Sequence, residues 1–384
     1  MTQQFASLFQ PFTFPNGVTL RNRVLMAPMT TWSSNPDGTV SDQELAYYRH
    51  RVNGVGAVLT GCTHVTENGI GFTDEFAAHD DRYTPSLRAL AQATKSGGAP
   101  AILQIFHAGN KAVPALVPDG VLVSASAMKA PPGPFNNGEL ESRALTHDEI
   151  GEMIRAFGET TRRAIEAGFD GIELHGAHGF LIQNFFSPLF NQRTDAWGGS
   201  LENRMRFPLA LVAEIRRVIA QHADRPFLIG YRISPEEPDA GGLRVDDALT
   251  LIDRLIVAGI DYIHVSLSDL LNAKPLDSTD GRRTIERVVE AVQQRVPVIA
   301  AGQIGTPAQA EAALALGLSV VAVGKGLVMN PTWVEHAMRG DAVAIRTRLN
   351  PADVPHLVIP DKLWGIIDAM KGWFPVHRDE PATV

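Results

Sequence analysis

The chain of 384 residues is 45% hydrophobic with a formal net charge of −8, so it can bury a large core and falls in the size range of a decorated α/β barrel. The acidic balance disfavours nucleic-acid and anionic-membrane partners, because such surfaces are bound through clustered Lys and Arg, and a small molecule is the expected partner. The single cysteine, Cys62, excludes an intramolecular disulfide and a cysteine-rich iron–sulfur or zinc site.

The sequence shows no apolar run long enough for a membrane span, and its start lacks a basic, then apolar signal pattern. We therefore expect a cytoplasmic protein with no membrane partner. The oligomeric state is left open, a homo-oligomer included.

The first predicted element is a β-hairpin close to the start of the chain. Asn16-Gly17 lies between two short β-like runs, which is a strong hairpin signal. We expect this hairpin to plug the N-terminal end of the fold that follows.

Eight buried strands are predicted after the hairpin. Four follow a shared joint, in which a helical stretch meets a glycine suited to the left-handed conformation and then a run rich in β-branched residues. These joints lie at 52–59, 166–174, 257–265 and 315–323, with the glycines at Gly54, Gly168, Gly259 and Gly317. The other strands are predicted at 24–29, 101–106, 227–233 and 296–301.

Helical patterns fill the gaps between these strands. The segment 146–167 opens with Thr-His-Asp-Glu, a capping-box pattern, and Ser200 precedes apolar residues at near-helical spacing. Pro208 is expected to kink that second helix or to mark a late start. Alternating strands and helices without a break in composition predict one (β/α)8 TIM barrel over residues 1–384 rather than an open sheet.

Two segments fall outside the repeat. Residues 107–144 are too many for an ordinary loop and contain Pro131-Pro-Gly-Pro134 and Asn136-Asn-Gly138, so we expect a capping insertion after the third strand. The tail, about 343–384, is expected to pack one last helix near 363–370.

Active groups of such a barrel sit where strands end, at the C-terminal face. The candidates are hydrogen-bonding groups rather than acids. They are Met29, Thr30, Gly61, Gln104, His175, His178, Arg232, Gly302, Gln303, Gly324 and Lys325.

Several of these residues have two interpretations. The glycine-rich turns at 302–305 and 324–326 either hold a phosphate on backbone N–H groups or simply form tight turns, and the neighbouring Lys325 favours the phosphate. Arg232 lies within an apolar strand and needs an anion, either a ligand or a carboxylate such as Glu173. Gln104 is a buried amide that needs partners, and a ligand edge is one solution.

His175 and His178 follow the fourth strand. A metal site would need a third ligand, and no acid or thiol follows until Asp195, so no metal is expected. Core histidines are expected singly. We favour a pair of N–H donors that converge on one substrate oxygen, where negative charge develops.

These motifs resemble the Old Yellow Enzyme family of FMN-dependent oxidoreductases, over about residues 12–333. The resemblance is carried by Asn22-Arg-Val-Leu-Met-Ala-Pro-Met-Thr30, by Gln104-Ile-Phe-His-Ala-Gly109, and by the segment 175–204 that begins with His175-Gly-Ala-His178. It implies bound FMN, with NADH or NADPH as the reductant and a small electrophile such as an enone, quinone or nitro compound as the oxidant.

The resemblance also implies roles for individual residues. The flavin ring would be bound by Pro28, Met29, Thr30, Gly61, Gln104 and Arg232, and the phosphate by Gly302, Gln303, Gly324 and Lys325. His175 and His178 would grip the electrophile's oxygen, in a pocket lined by Trp32 and Phe180.

The chain departs from the family pattern at three positions. Phe180 stands where members usually carry a proton-donating Tyr, Lys325 replaces Arg, and Asn110 replaces Arg. Because a phenyl ring has no proton to give, the alternative is an FMN- or ligand-binding barrel with degraded ene-reductase activity. A phosphate-binding lyase or aldolase is disfavoured, since no Lys is evident at an inner strand end.

Overall fold

Eight parallel strands close into a barrel in the computed structural model, which describes residues 4–129 and 141–378. The strands are β1 (Phe12–Thr13), β2 (Thr19–Leu20), β3 (Val24–Met26), β4 (Ala57–His64), β5 (Phe76–Ala77), β6 (Ala101–Phe106), β7 (Leu122–Ser124), β8 (Met128–Lys129), β9 (Glu141–Ala144), β10 (Gly171–Gly176), β11 (Leu228–Ile233), β12 (Tyr262–Ser266), β13 (Val298–Ala301) and β14 (Val320–Val323). The barrel order is β3-β4-β6-β10-β11-β12-β13-β14, and β14 pairs back onto β3. The predicted (β/α)8 barrel is confirmed.

The helices surround the barrel and alternate with its strands. They are α1 (Asp42–Arg51), α2 (Thr84–Lys95), α3 (His147–Ala167), α4 (Leu181–Phe186), α5 (Leu201–His222), α6 (Val245–Ala258), α7 (Thr284–Val292), α8 (Pro307–Ala315), α9 (Lys325–Met329), α10 (Trp333–Met338) and α11 (Asp361–Ala369). Within the described ranges, no helix is long and apolar enough to cross a membrane.

Local signals correctly predicted the starts of two helices, α3 and α5. Thr146 caps α3 through a full capping box, and Ser200 caps α5 by accepting a hydrogen bond from the backbone of Asn203. The prediction of a late start at Pro208 is wrong, because α5 begins at Leu201 and continues through the proline. The predicted last helix is confirmed as α11.

Three of the four glycine joints adopt the predicted left-handed conformation. Gly168, Gly259 and Gly317 have φ values of 95°, 93° and 97°. The prediction is wrong for Gly54, which is not left-handed. A Cβ at Gly54 would lie 2.7 Å from the Cβ of Val334, so close packing requires glycine there.

The N-terminal hairpin closes one end of the barrel, as predicted. β1 and β2 pair antiparallel, and Gly17 turns the chain with φ 97°. Phe14 is 1% exposed and packs in one apolar cluster with Leu25, Ile102 and Tyr262, which come from the barrel strands.

The insertion after β6 has structure of its own. Its described part holds two 3-10 turns, Gly109–Lys111 and Pro114–Leu116, and a small sheet in the order β7-β9-β8. The Pro131–Pro134 and Asn136–Gly138 motifs lie outside the described residues. The chain before them passes close to the fourth barrel strand, because the Lys111 ammonium donates to the carbonyl of His178.

Candidate active site

A cavity of about 740 Å³ lies at the C-terminal ends of the barrel strands. The predicted residues that line it are Pro28, Met29, Arg232, Gly302, Gln303, Gly324 and Lys325. Sequence reasoning missed other parts of its wall, which are Ser266, Ser268, Thr347 and the tail segment 372–375. Ser266 ends the sixth barrel strand, so the strand-end rule applied to that strand would have found it.

Gly61 and Gln104 lie beside this cavity but are not among the residues that line it. A Cβ at Gly61 would come 2.8 Å from the carbonyl oxygen of Met29, so only glycine allows these strands this approach. The Gln104 amide donates to Glu173 over 2.7 Å, and its oxygen accepts from the Cys62 thiol at 3.4 Å. The surrounding chain therefore fixes which way this amide points.

Arg232 is a buried cation with an unused donor. One terminal nitrogen donates to the Ser266 hydroxyl at 3.1 Å, whereas Nε is buried without a partner among the described residues. Glu173, the alternative partner considered from the sequence, instead accepts from Gln104, Tyr262 and His264. Burial lowers the pKa of Arg232, and the charge of Glu173 opposes this effect. An unsatisfied guanidinium donor is costly to bury and points to an electron-rich ligand.

Two tightly packed glycines line another part of the cavity, next to Lys325. A Cβ at Gly302 would lie 2.7 Å from the Leu267 carbonyl oxygen, and one at Gly324 would lie 3.2 Å from the Met29 sulfur. The lysine ion pairs within the described residues are Lys95–Asp170 and Lys362–Asp74, so Lys325 has none there. Its Nζ lies 5.7 Å from the centre of the Phe374 ring, and burial lowers its pKa.

The two predicted histidines lie side by side, with ring centres 4.9 Å apart. His175 is the last residue but one of β10 and is 1% exposed, and strand pairing sets it opposite Arg232. His178 is exposed and has a left-handed backbone with φ 60°. Its Nε2 lies 2.8 Å from the Ser266 hydroxyl oxygen, so Ser266 contacts both His178 and Arg232.

The pKa of both imidazoles is lowered, which favours their neutral form. Burial lowers the pKa of His175 well below its usual value, and the positive charge of Arg232 adds to this. Loss of hydration also lowers the pKa of His178, and the positive charges of Arg232 and Lys111 add to this. A neutral imidazole has one N–H donor and one acceptor, so each ring offers a single donor. Within residues 4–129 and 141–378, no group of His, Cys, Asp and Glu is arranged to hold a metal.

Aromatic rings extend from the histidine pair through Phe180 and Phe72 to Trp32. The Phe180 ring lies 4.9 Å from His175, 5.0 Å from Phe106 and 6.0 Å from Phe72, centre to centre. Trp32 is 7% exposed and lies 5.3 Å from Phe72 and 5.6 Å from Trp373. Phe72, Phe106 and Trp373 were not predicted, because these three rings meet only through the tertiary fold.

Comparison with known families identifies the family of this chain. The model of the NADH:flavin oxidoreductase / NADH oxidase family matches residues 7–342. The chain belongs to this family. As an NADH:flavin oxidoreductase of the Old Yellow Enzyme type, it uses FMN, with NADH or NADPH as the reductant.

Individual relatives agree with this assignment. A probable NADH-dependent flavin oxidoreductase of Bacillus subtilis, YqiG, is 43% identical over 98% of this chain and 99% of its own length. NADH:fumarate oxidoreductase of Klebsiella pneumoniae is 39% identical over 94% of this chain, which spans only 39% of that longer protein. The solved structure of morphinone reductase in complex with tetrahydroNAD is 26% identical, with a TM-score of 0.76 and coverage of 97% of this chain and 98% of that one.

The residues of the flavin oxidoreductase's cavity fit FMN. The Nε of Arg232, which has no partner among the described residues, matches a ring with a polar edge. The Gly302 and Gly324 turns, with the ammonium of Lys325, match a phosphate. The cavity volume of about 740 Å³ also suits a ligand of that size.

Proposed function

We propose that this flavin oxidoreductase delivers the electrons of NADH or NADPH to a small electrophile, an enone, a quinone or a nitro compound, held by His175 and His178. The observation that carries the proposal is the pair of imidazoles, whose ring centres lie 4.9 Å apart beside the cationic cavity and whose pKa values are lowered. Two neutral donors can share one carbonyl or nitro oxygen without protonating it, and they withdraw electrons from the bond to be reduced.

The cavity divides into two parts in this proposal. Gly302, Gln303, Gly324 and Lys325 would hold the phosphate, while Pro28, Met29, Thr30, Gly61, Gln104 and Arg232 would bind the ring. When bound, FMN supplies two-electron chemistry, accepting hydride from the nicotinamide and giving it to the oxidant.

The protein's own groups set the conditions for that transfer. Arg232 would supply a positive charge that stabilises the ring as it gains electrons, and its Nε, which has no partner among the described residues, is the donor available for this contact. Trp32 and Phe180 would form the apolar wall that orients a flat substrate and excludes water. His175 and His178 would then fix the substrate's oxygen.

The test is an anaerobic two-step titration of the protein loaded with FMN. We expect NADH or NADPH to bleach the flavin absorbance and cyclohexenone, menadione or a nitro compound to restore it. His175→Ala and His178→Ala should slow the second step by about 100-fold, the usual cost of one oxyanion donor, and leave the first step within a few fold. Failure to retain FMN, or bleaching that no acceptor reverses faster than oxygen, would contradict the proposal.

A second candidate is a barrel that binds FMN and phenol-like ligands with degraded ene-reductase activity. Phe180 favours it, because the ring packs against His175 and brings no acidic hydroxyl. In that case a phenol gives a long-wavelength absorbance band, yet no acceptor turns over.

A further inference from the structure

Lys111 reaches the substrate side of the site from the capping insertion. Its Nζ donates to the carbonyl oxygen of His178 at 2.6 Å and lies 5.8 Å from the centre of the Phe180 ring. A Cβ at Gly179 would lie only 2.8 Å from this ammonium, so the chain carries no side chain where Lys111 passes. The ammonium therefore lies beside the residue that replaces the family's tyrosine.

This ammonium has no counterion within the described part of the chain, where the lysine ion pairs involve Lys95 and Lys362. Glu237 is the acid whose charge raises the pKa of Lys111. Its carboxylate already accepts hydrogen bonds from the Gln183 amide at 2.7 Å, the Ser187 hydroxyl at 2.6 Å and the backbone N–H of Leu243 at 2.9 Å.

The other titratable group in contact is the neutral His178. Burial lowers the pKa of Lys111, and Glu237 opposes this effect. A half-buried ammonium of lowered pKa is a better proton donor than an exposed lysine.

We propose that Lys111 donates the proton that completes alkene reduction, in place of the hydroxyl that Phe180 lacks; this rests on the proposed function. The alkene's β-carbon takes a hydride, which carries the two electrons supplied by NADH or NADPH, and the π bond is lost. The α-carbon takes H⁺ from the Lys111 ammonium, which becomes a neutral amine and regains its proton from water. A quinone needs no such donor, because its product oxygens take protons from water.

The test compares two acceptors in the oxidative half-reaction of the FMN-loaded protein, measured by stopped flow. Lys111→Met should slow cyclohexenone reduction by about 100-fold or more, the usual share of a general acid, and menadione reduction by less than about 3-fold. Lys111→Arg keeps the charge but cannot give up a proton, so it should be as slow as Lys111→Met with the enone. Lys95→Met, at the opposite end of the barrel, is the matched control and should behave as wild type.

Two further readouts separate proton donation from a structural role. The wild-type rate of enone reduction should fall as pH rises through the pKa of Lys111. The pH profile of Lys111→Met should not show this fall. The dissociation constant for a phenol should change by less than about 3-fold in Lys111→Met, since the pocket stays intact. Phe180→Tyr added to Lys111→Met should restore part of the enone rate.

Three results would overturn the inference: an equal loss for both acceptors in Lys111→Met, a wild-type enone rate in Lys111→Arg, or a wild-type protein that reduces menadione but no enone. Each of these leaves the proposed function standing. Failure of NADH and NADPH to bleach the flavin is the result that removes the proposed function itself.

Discussion

Ser266 contacts both Arg232 in the cavity wall and His178 of the histidine pair. Its hydroxyl lies 3.1 Å from the Arg232 guanidinium and 2.8 Å from His178 Nε2. The oxygen can accept from Arg232 and donate its own proton to Nε2, which leaves Nδ1 of the neutral His178 as the N–H donor. We therefore expect Ser266 to be a positioning residue that determines which nitrogen of His178 donates.

Replacing Ser266 tests this role. Ser266→Ala should weaken binding of a phenol to the FMN-loaded protein by about 10-fold, since a hydrogen bond to a charged or buried partner contributes about 1–3 kcal/mol. Titration of the long-wavelength phenol band measures it. Ser268→Ala, in the same cavity wall, is the control and should bind as wild type. Equal affinities for all three proteins would show that Ser266 does not position His178.

At the scale of elements, helix α1 contains a buried acid. Glu44 is fully buried, closes the capping box with Ser41, and accepts hydrogen bonds from Thr31 and Ser34. Burial raises the pKa of this carboxyl from 4.5 to about 7, against the opposing effect of the hydrogen bonds. The folded state therefore holds the proton more tightly than the unfolded state does.

The stability of the protein should consequently depend on pH in a defined window. The contribution of Glu44 is fully present below pH 4.5 and is lost as pH rises to about 7, a change of about 3 kcal/mol at most. Glu44→Gln should flatten the free energy of unfolding across this window, measured by urea denaturation between pH 5 and 8. Asp42→Asn, exposed in the same helical turn, should leave the slope as in wild type. A slope that survives in Glu44→Gln would assign it to another group.

The elements that sequence predicted best are those with strong local signals. Thr146 and Ser200 mark helix starts through their own side chains, and the eight barrel strands are apolar runs that are buried along almost their whole length. The strands β7, β8 and β9 were missed because they have two to four residues and depend on each other for pairing.

The residues of the candidate site also fall into those that could be predicted from the sequence and those that could not. Six residues of the cavity wall could be predicted because strand ends of a barrel converge on one face, and a seventh, Pro28, followed from the family resemblance. Lys111, Phe72 and Trp373 could not, since no periodic pattern places a loop or tail residue against a strand end. The meeting of Lys111 with Phe180 appears only in the folded chain.

At the scale of the whole molecule, the hairpin and the site occupy opposite ends of the barrel. Phe14 packs against Tyr262, with ring centres 5.7 Å apart, and belongs to a cluster that fills the N-terminal end. Between this cluster and the cavity, the barrel interior contains Glu173, which accepts hydrogen bonds from Tyr262 and His264. Stability and ligand binding should therefore respond separately to changes in the hairpin.

Phe14→Ala should lower the free energy of unfolding by about 3–5 kcal/mol, the usual cost of removing a buried phenyl ring. Phe12→Ala, whose ring is only partly buried, should cost clearly less. Urea denaturation gives these values, and phenol titration of the FMN-loaded proteins should give unchanged affinities. A weaker phenol affinity in Phe14→Ala would show that the two ends of the barrel are coupled.

The groups around the site come from two kinds of chain segment. The turns at Gly302 and Gly324 belong to the barrel repeat, whose geometry is fixed by strand pairing. Lys111 and Trp373 come from the insertion and the tail, which the barrel does not need in order to close. Mutations in these two segments can therefore accumulate during evolution and alter the cavity wall at Trp373 without disturbing the closure of the barrel.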